Sequence, residues 1–221
     1  MSLETTYTTL SREVAAADAR LIAVSKTHPV ALIQQLYDLG HRDFGENRAE
    51  ELAEKAPQLP DDIRWHFIGH LQRNKVKLIT PLVHLLHSGD SLRLLRELDR
   101  RADDRRIDVL LQFHIAREES KYGLSRDTAR ELLEEIGVDP LHHVRITGVM
   151  GMATYTDDGA QVESEFRELH EIFRELKEQY FADDPAFTEI SMGMSGDYAI
   201  ALRQGSSLVR IGSLLFGARN S

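Results

Sequence analysis

Three stretches of this sequence carry groups whose types and spacing could do chemistry. In Leu21-Ile-Ala-Val-Ser-Lys-Thr-His-Pro29 an apolar run delivers one lysine, Lys26, to the end of a predicted strand. Pro29 has no N–H to donate and closes the ladder. Partial desolvation there loosens the ammonium's hold on its proton and frees the amine to attack an aldehyde. The alternative is an ordinary solvated lysine just past a strand. In Ile190-Ser-Met-Gly-Met-Ser-Gly-Asp197, two serines and two glycines stand between a strand and a helix that Ser195 is placed to cap. Outward amides and a helix dipole make such a loop an anion cradle, the plainer reading being a simple turn. In Val209-Arg-Ile-Gly-Ser213, Gly212 permits close backbone approach, and the Gly212 and Ser213 amides can hold phosphate oxygens. Arg210 alternates with Val209 and Ile211, so it faces the other side of its strand, where a buried cation needs a partner. That partner is either a buried carboxylate or a ligand.

The elements that must position these groups alternate along the chain. Strand-like runs fall at Leu21–Lys26, Asp43–Asn47, Trp65–His70, Val83–Ser88, Asp108–Ile115, Arg145–Met152, Phe187–Met192 and Ser207–Ile211. Helical patterns fall at Thr9–Ala19, Ala31–Leu39, Arg48–Lys55, Gln72–Lys77, from Ser91 onward, Arg126–Ile136, Ala160–Tyr180 and Tyr198–Arg203. Phe166, Leu169, Phe173, Leu176 and Tyr180 make the second-to-last of these the clearest helix. Ser125 reads as an N-cap and Gly137 as a stop. No two strands are joined by a hairpin signal, so the strands are expected to be parallel with right-handed crossovers. Eight such units predict one domain over residues 1–221, an α/β fold closed as a (β/α)8 TIM-type barrel. An open doubly wound sheet would need a glycine-rich turn after its first strand, and Ser25-Lys-Thr-His-Pro is not one.

In a barrel the carboxyl ends of the strands share one mouth, which gathers Lys26, Asn47, His70, Ser88, His114, Met150 or Met152, Ser191 to Ser195, and Arg210 to Ser213. The loops after the seventh and eighth strands are the recurrent phosphate site of this architecture, and the first strand neighbours the eighth. An aldehyde-reactive lysine, a phosphate cradle and a cation near a ring together describe a pyridoxal 5′-phosphate pocket. An arginine against the pyridine nitrogen stays protonated and leaves that nitrogen bare. The ring is then a weak electron sink, suited to holding the cofactor or to proton transfer alone.

Composition limits the alternatives. The chain has 221 residues, 42% of them hydrophobic and 29% charged, which suffices for a large core. A formal net charge of −9 argues against nonspecific binding to nucleic acid or to an anionic membrane. The absence of cysteine removes disulfides, thiolate chemistry and cysteine-ligated metals together. Residues 1–10 lack the pattern of a signal peptide and no apolar run reaches spanning length, so a cytoplasmic protein is expected.

The motifs Ala23-Val-Ser-Lys-Thr27, Phe44-Gly-Glu-Asn47, Trp65-His-Phe-Ile-Gly-His-Leu-Gln72 with Asn74-Lys75, Lys121 with Gly123, Gly148-Val-Met-Gly-Met152, Ser191-Met-Gly-Met-Ser195 and Val209-Arg-Ile-Gly212 run from the first strand to the last. In that order they resemble the pyridoxal phosphate homeostasis family, single-domain relatives of the alanine racemase barrel. The resemblance implies a Schiff base on Lys26 and phosphate contacts around Ser191, Met192, Ser195, Gly212 and Ser213. It implies Arg210 at the ring nitrogen, with Asn47, His70 and Met150 near the cofactor's face or mouth. It further implies a monomeric carrier or buffer of the cofactor, in transient contact with apoenzymes and without established turnover. Two departures, His28 in place of a second lysine and His114 in place of a small amide, keep those two roles from being carried over. Alanine racemases of this fold add a β domain and a partner-subunit tyrosine, for which this chain, ending at Ser221, leaves no room.

The rival readings are a racemase of low activity, a Schiff-base aldolase acting on a sugar phosphate, and a protein in which the cofactor is only structural. Ten histidines invite a metal, yet His66 and His70 on an extended strand do not share a face as they would on a helix, and no metal is expected. His84 and His87 are expected on opposite sides of their strand, as packing or surface residues.

Overall fold

Side chains on a strand alternate between two faces, and the computed structural model, described for residues 2–117 and 122–217, uses that alternation eight times. The strands are β1 (Arg20–Val24), β2 (Asp43–Glu46), β3 (Arg64–Phe67), β4 (Val83–Gly89), β5 (Ile107–Phe113), β6 (Val144–Gly151), β7 (Glu189–Ser191) and β8 (Leu208–Ile211). Each pairs in parallel with the next and β8 pairs with β1, so the sheet closes into the expected (β/α)8 barrel. Helix α1 (Leu3–Ala16) precedes the first strand. Helices α2 (Val30–Asp38), α3 (Ala49–Lys55), α4 (Val76–Ile79), α5 (Leu92–Arg101), α6 (Arg126–Val138), α7 (Gly159–Tyr180), α8 (Tyr198–Arg203) and α9 (Ser213–Phe216) follow the strands in turn.

The alternation divides the apolar residues into two cores. Ala23, Phe44, Phe67, Val109, Val149 and Ile211 face outward and pack with the apolar sides of the helices. Ile22, Leu85, Leu110, Met150 and Leu208, with Met152 against them, form a separate cluster, the barrel's own interior. The barrel is therefore packed, not a pore. Among the described residues, no helix is long and apolar enough to cross a membrane.

Local chemistry explains where the elements depart from expectation. Helix α1 begins at Leu3 and not at Thr9, because the Ser2 hydroxyl accepts the Thr5 N–H and caps an earlier turn. Helix α6 starts at the Ser125 cap as expected, with Ser125 and Thr128 bonded reciprocally. It does not stop at Gly137, however. The helix runs through that glycine to Val138 and ends only at Asp139, which precedes Pro140 and is disfavoured from helical geometry. The predicted helix over Gln72–Lys77 is a 3₁₀ turn, Arg73–Lys75, followed by the single turn of α4. Strand β3 ends at Phe67, which leaves His70 in the loop beyond it.

Candidate functional site

Pairing across the barrel closure sets the geometry of the mouth. Ile22 lies opposite Arg210 and Ala23 opposite Ile211, so the strand that leads to Lys26 runs beside the strand that leads to Gly212. Lys26 itself is half-buried. The residue after it, Thr27, has φ +66°, a left-handed conformation that a β-branched residue seldom adopts. A buried polar cluster on the outer side of the barrel holds this corner. The Thr27 N–H donates to Glu51 Oε1 at 2.5 Å, and the Ser25 hydroxyl donates to Glu46 Oε1 at 2.7 Å. Lys55 Nζ donates to the Ser25 carbonyl at 2.9 Å, to Glu46 Oε1 at 2.8 Å and to Glu51 Oε1 at 2.7 Å. Burial pushes the Glu46 carboxyl above its usual range, against the pull of Lys55. Backbone on both sides of Lys26 is thus tied to one ammonium.

Arg210 is 4% exposed and faces the barrel interior. It donates to Ser191 Oγ at 2.5 Å and to the Gly151 carbonyl at 3.1 Å. Among the described residues no carboxylate lies within ion-pair distance, so the buried carboxylate that the sequence left open as its partner is not found there. Burial pulls its pKa down to about 10, with the charge of Asp197 opposing. Ser191 Oγ in turn meets His87 Nδ1 at 2.8 Å. His87 Nε2 meets His66 Nδ1 at 2.9 Å, and His66 Nε2 meets Asp43 Oδ1 at 3.0 Å. Both histidines are fully buried. Burial lowers His66 to about 4, despite Asp43, and lowers His87 well below the usual value, with His66 and Arg210 adding to the effect. Asp43 also accepts from Arg64 Nε at 2.7 Å and from Arg64 Nη2 at 2.5 Å. Burial alone would raise the Asp43 carboxyl, but the hydrogen bonds from Arg64 and His66 hold it well below the usual range.

Sequence reasoning missed this row. His84 and His87 do lie in different surroundings, the first exposed and the second buried. The signal for His87 was its shared parity with Leu85, which faces the interior.

The two Ser/Gly stretches come together. The Leu214 N–H approaches Ser195 Oγ at 3.5 Å, which links the loop after β7 to the helix after β8. The amides of Ser195, Gly196, Gly212 and Ser213 make no hydrogen bond within the described residues. Gly193 is required between them: its φ is +94°, and a Cβ there would stand 2.5 Å from the Ala201 Cβ. Two expectations change. Ser195 does not cap α8; Asp197 is the N-cap, and its carboxylate accepts the Met194 N–H at 2.5 Å, turning the loop from inside. Met192 buries its side chain in the outer core. Its N–H donates to the Leu208 carbonyl and its carbonyl accepts from Ser206 Oγ, so neither faces a ligand.

The remaining expected residues ring the mouth at different depths. Met150 is 1% exposed and belongs to the interior plug, the floor beneath the mouth. Asn47 follows β2, and the backbone of Gly69 packs so closely on it that a Cβ would lie 2.3 Å from the Asn47 carbonyl oxygen. His70 stands on the rim. Its Nδ1 lies 2.9 Å from Asp90 Oδ2, and its ring stacks on Tyr122 at a 4.4 Å centroid distance. Sequence reading singled out neither Asp90 nor Tyr122, which a hydrogen bond and a ring stack across loops bring to His70. His114 is anchored through its N–H to the Leu124 carbonyl. Lys121 lies outside the described residues.

Comparison with known proteins gives the family and agrees with the fold. A family model described as "Alanine racemase, N-terminal domain" matches residues 2–220. A pyridoxal phosphate homeostasis protein of Aquifex aeolicus is 39% identical over 204 residues, covering 91% of this chain and 87% of that protein. The structure of PipY from Synechococcus elongatus without pyridoxal phosphate superposes with a TM-score of 0.90 at 34% identity, covering 98% of this chain and 100% of that one. PipY with pyridoxal phosphate bound gives a TM-score of 0.86 at 33% identity, with the same coverage.

Proposed function

The chain belongs to the alanine racemase N-terminal domain family and to the pyridoxal phosphate homeostasis proteins, and from that premise we propose that it holds pyridoxal 5′-phosphate on Lys26 as a carrier of the cofactor. One observation carries the reading. The candidate anchor, the buried cation and the anion cradle share a single mouth, because β1 and β8 are neighbours and Ser195 meets the turn after β8.

The mouth suits the group on two further counts. Four amides without an acceptor among the described residues lie in the two turns that would cradle a phosphate. Arg210 is a buried cation held only by neutral acceptors among the described residues, which suits a ring nitrogen that needs a donor and not a second acid. When bound, the cofactor supplies an electrophilic aldehyde and an electron-withdrawing ring. Lys26 would hold that aldehyde carbon covalently through its Nζ. The Thr27 corner and the Lys55 cluster hold the backbone on either side of that lysine. Ser195, Gly212 and Ser213 bind the phosphate, Ser191 supports Arg210, Met150 is the floor, and Asn47 and His70 border the open side.

We place the protein in the cytoplasm as a monomer of one domain that lends its cofactor to apoenzymes. Carriage is proposed over turnover because the relatives are named for homeostasis. The test is absorbance after addition of the cofactor, then borohydride reduction and peptide mass mapping. A yellow protein labelled on the peptide that holds Lys26, with Lys26→Ala neither coloured nor labelled, is the expected result. A colourless wild-type protein would remove the proposal.

A further inference from the structure

The row that ends on Arg210 has a direction. A guanidinium only donates, so Ser191 Oγ must accept from Arg210. At the other end an ionised Asp43 only accepts, so His66 must carry its proton on Nε2. A neutral His66 then offers Nδ1 as an acceptor, which makes His87 Nε2 the donor between them. Neutral His87 likewise offers Nδ1, and the Ser191 hydroxyl proton fills it. The two ends impose the same direction on every link, and no link is frustrated. Asp43 opens β2 at the far end of the barrel from the mouth. Four residue steps along the strand separate it from Asn47, roughly 13 Å at the usual rise per residue.

We infer that Asp43, His66 and His87 are positioning residues that act through Ser191 to orient Arg210. On the reading above, which this inference rests on, that orientation aims the guanidinium at the cofactor's ring nitrogen. Arg210 has no carboxylate beside it among the described residues, and the row links it to one across the barrel. Arg64 holds Asp43 at the far end through two parallel hydrogen bonds, so the row is moored where the chain meets solvent.

The test begins with the protein free of cofactor. Multiple-bond ¹⁵N–¹H spectra of histidine-labelled protein at pH 7 should show two buried rings protonated on Nε2. Asp43→Asn should disturb His87 as well as His66, although His87 does not touch residue 43. Arg64→Gln, which removes the ion pair but keeps the carboxylate, should disturb neither tautomer. The second readout uses protein loaded with pyridoxal phosphate. Asp43→Asn and Ser191→Ala should both shift the cofactor's absorbance maximum. Both should also release cofactor about tenfold faster, of the order expected for one charge-assisted hydrogen bond, while borohydride still fixes the label on the Lys26 peptide. Ser191→Ala covers the case in which Asp43→Asn does not fold. If the wild-type protein takes up no cofactor, the reading of the site fails and the tautomer result still judges the row. If it loads, and Ser191→Ala leaves spectrum and release unchanged, the inference fails while the reading stands.

Discussion

Two buried polar clusters flank the mouth of this barrel and solve the same problem by different means. Outside the sheet, Lys55 binds two carboxylates and a carbonyl, so charge meets charge beneath the corner that carries Lys26. Inside, Arg210 is oriented by a row of neutral groups, and its nearest linked carboxylate is four hydrogen bonds away. The outer cluster confers strength on a backbone turn, and the loss of its one ammonium, Lys55, exposes an uncompensated buried carboxylate. The inner row confers direction, since Ser191, His87 and His66 each donate one hydrogen bond and accept another between a pure donor and a pure acceptor. A lysine that must be held still and an arginine that must be aimed thus receive different supports.

The largest expected effect tests the outer cluster. Lys55→Met strands the fully buried Glu46 carboxylate, and the free energy of unfolding in urea should fall by about 3–5 kcal/mol. A loss below about 1 kcal/mol would mean that the cluster is not held by charge. Next comes the acid limb of stability, which belongs to the inner row. The folded-state value of His66 is about 4, below its unfolded value of 6.5, so the unfolded chain binds more protons between those limits. The His66 contribution is full above about pH 6.5 and falls toward pH 4, by on the order of 3 kcal/mol. Urea midpoints at several pH values measure the slope. His66→Gln, which keeps one donor and one acceptor but does not titrate, should flatten it. The smallest effect has the opposite sign. Glu46 has a raised folded-state value, so its contribution is full below 4.5 and is lost as pH rises through the folded value. Lys55 keeps Glu51 as a partner. Glu46→Gln should therefore change stability at pH 7 by no more than about 1 kcal/mol in a thermal melt. A loss above about 2 kcal/mol would mean that Glu51 alone does not satisfy Lys55 and that the cluster needs the charge of Glu46.

Much of the fold was legible because strands and helices repeat a simple period. The eight apolar runs, the Ser125 cap and the long stripe of α7 all depend on neighbours within a few residues. So did Lys26, Arg210 and the two Ser/Gly stretches as a group, since strand order alone puts them at one end. What escaped were relations between strands. Asp43, His66, His87 and Ser191 sit on four different strands at four heights, and no spacing in the chain announces that they touch. The Met192 expectation failed for a related reason: motif membership says nothing about which face a side chain takes, and the pleat sent this one outward. His70 and Tyr122 meet through loops, where periodicity has nothing to report.

The direction of the inner row also governs which sequences this barrel can drift toward. A position in the row is defined by a two-faced grammar, one acceptor toward the mouth and one donor toward Asp43, and not by size or hydrophobicity. Glutamine in place of either histidine satisfies that grammar, as does threonine in place of Ser191. An apolar residue of perfect fit does not. Because both ends fix the polarity, reversing it takes simultaneous changes at Asp43 and Arg210. One-step variation is therefore confined to a short alphabet at each rung, and the interior is more restrictive than its buried volume alone would suggest.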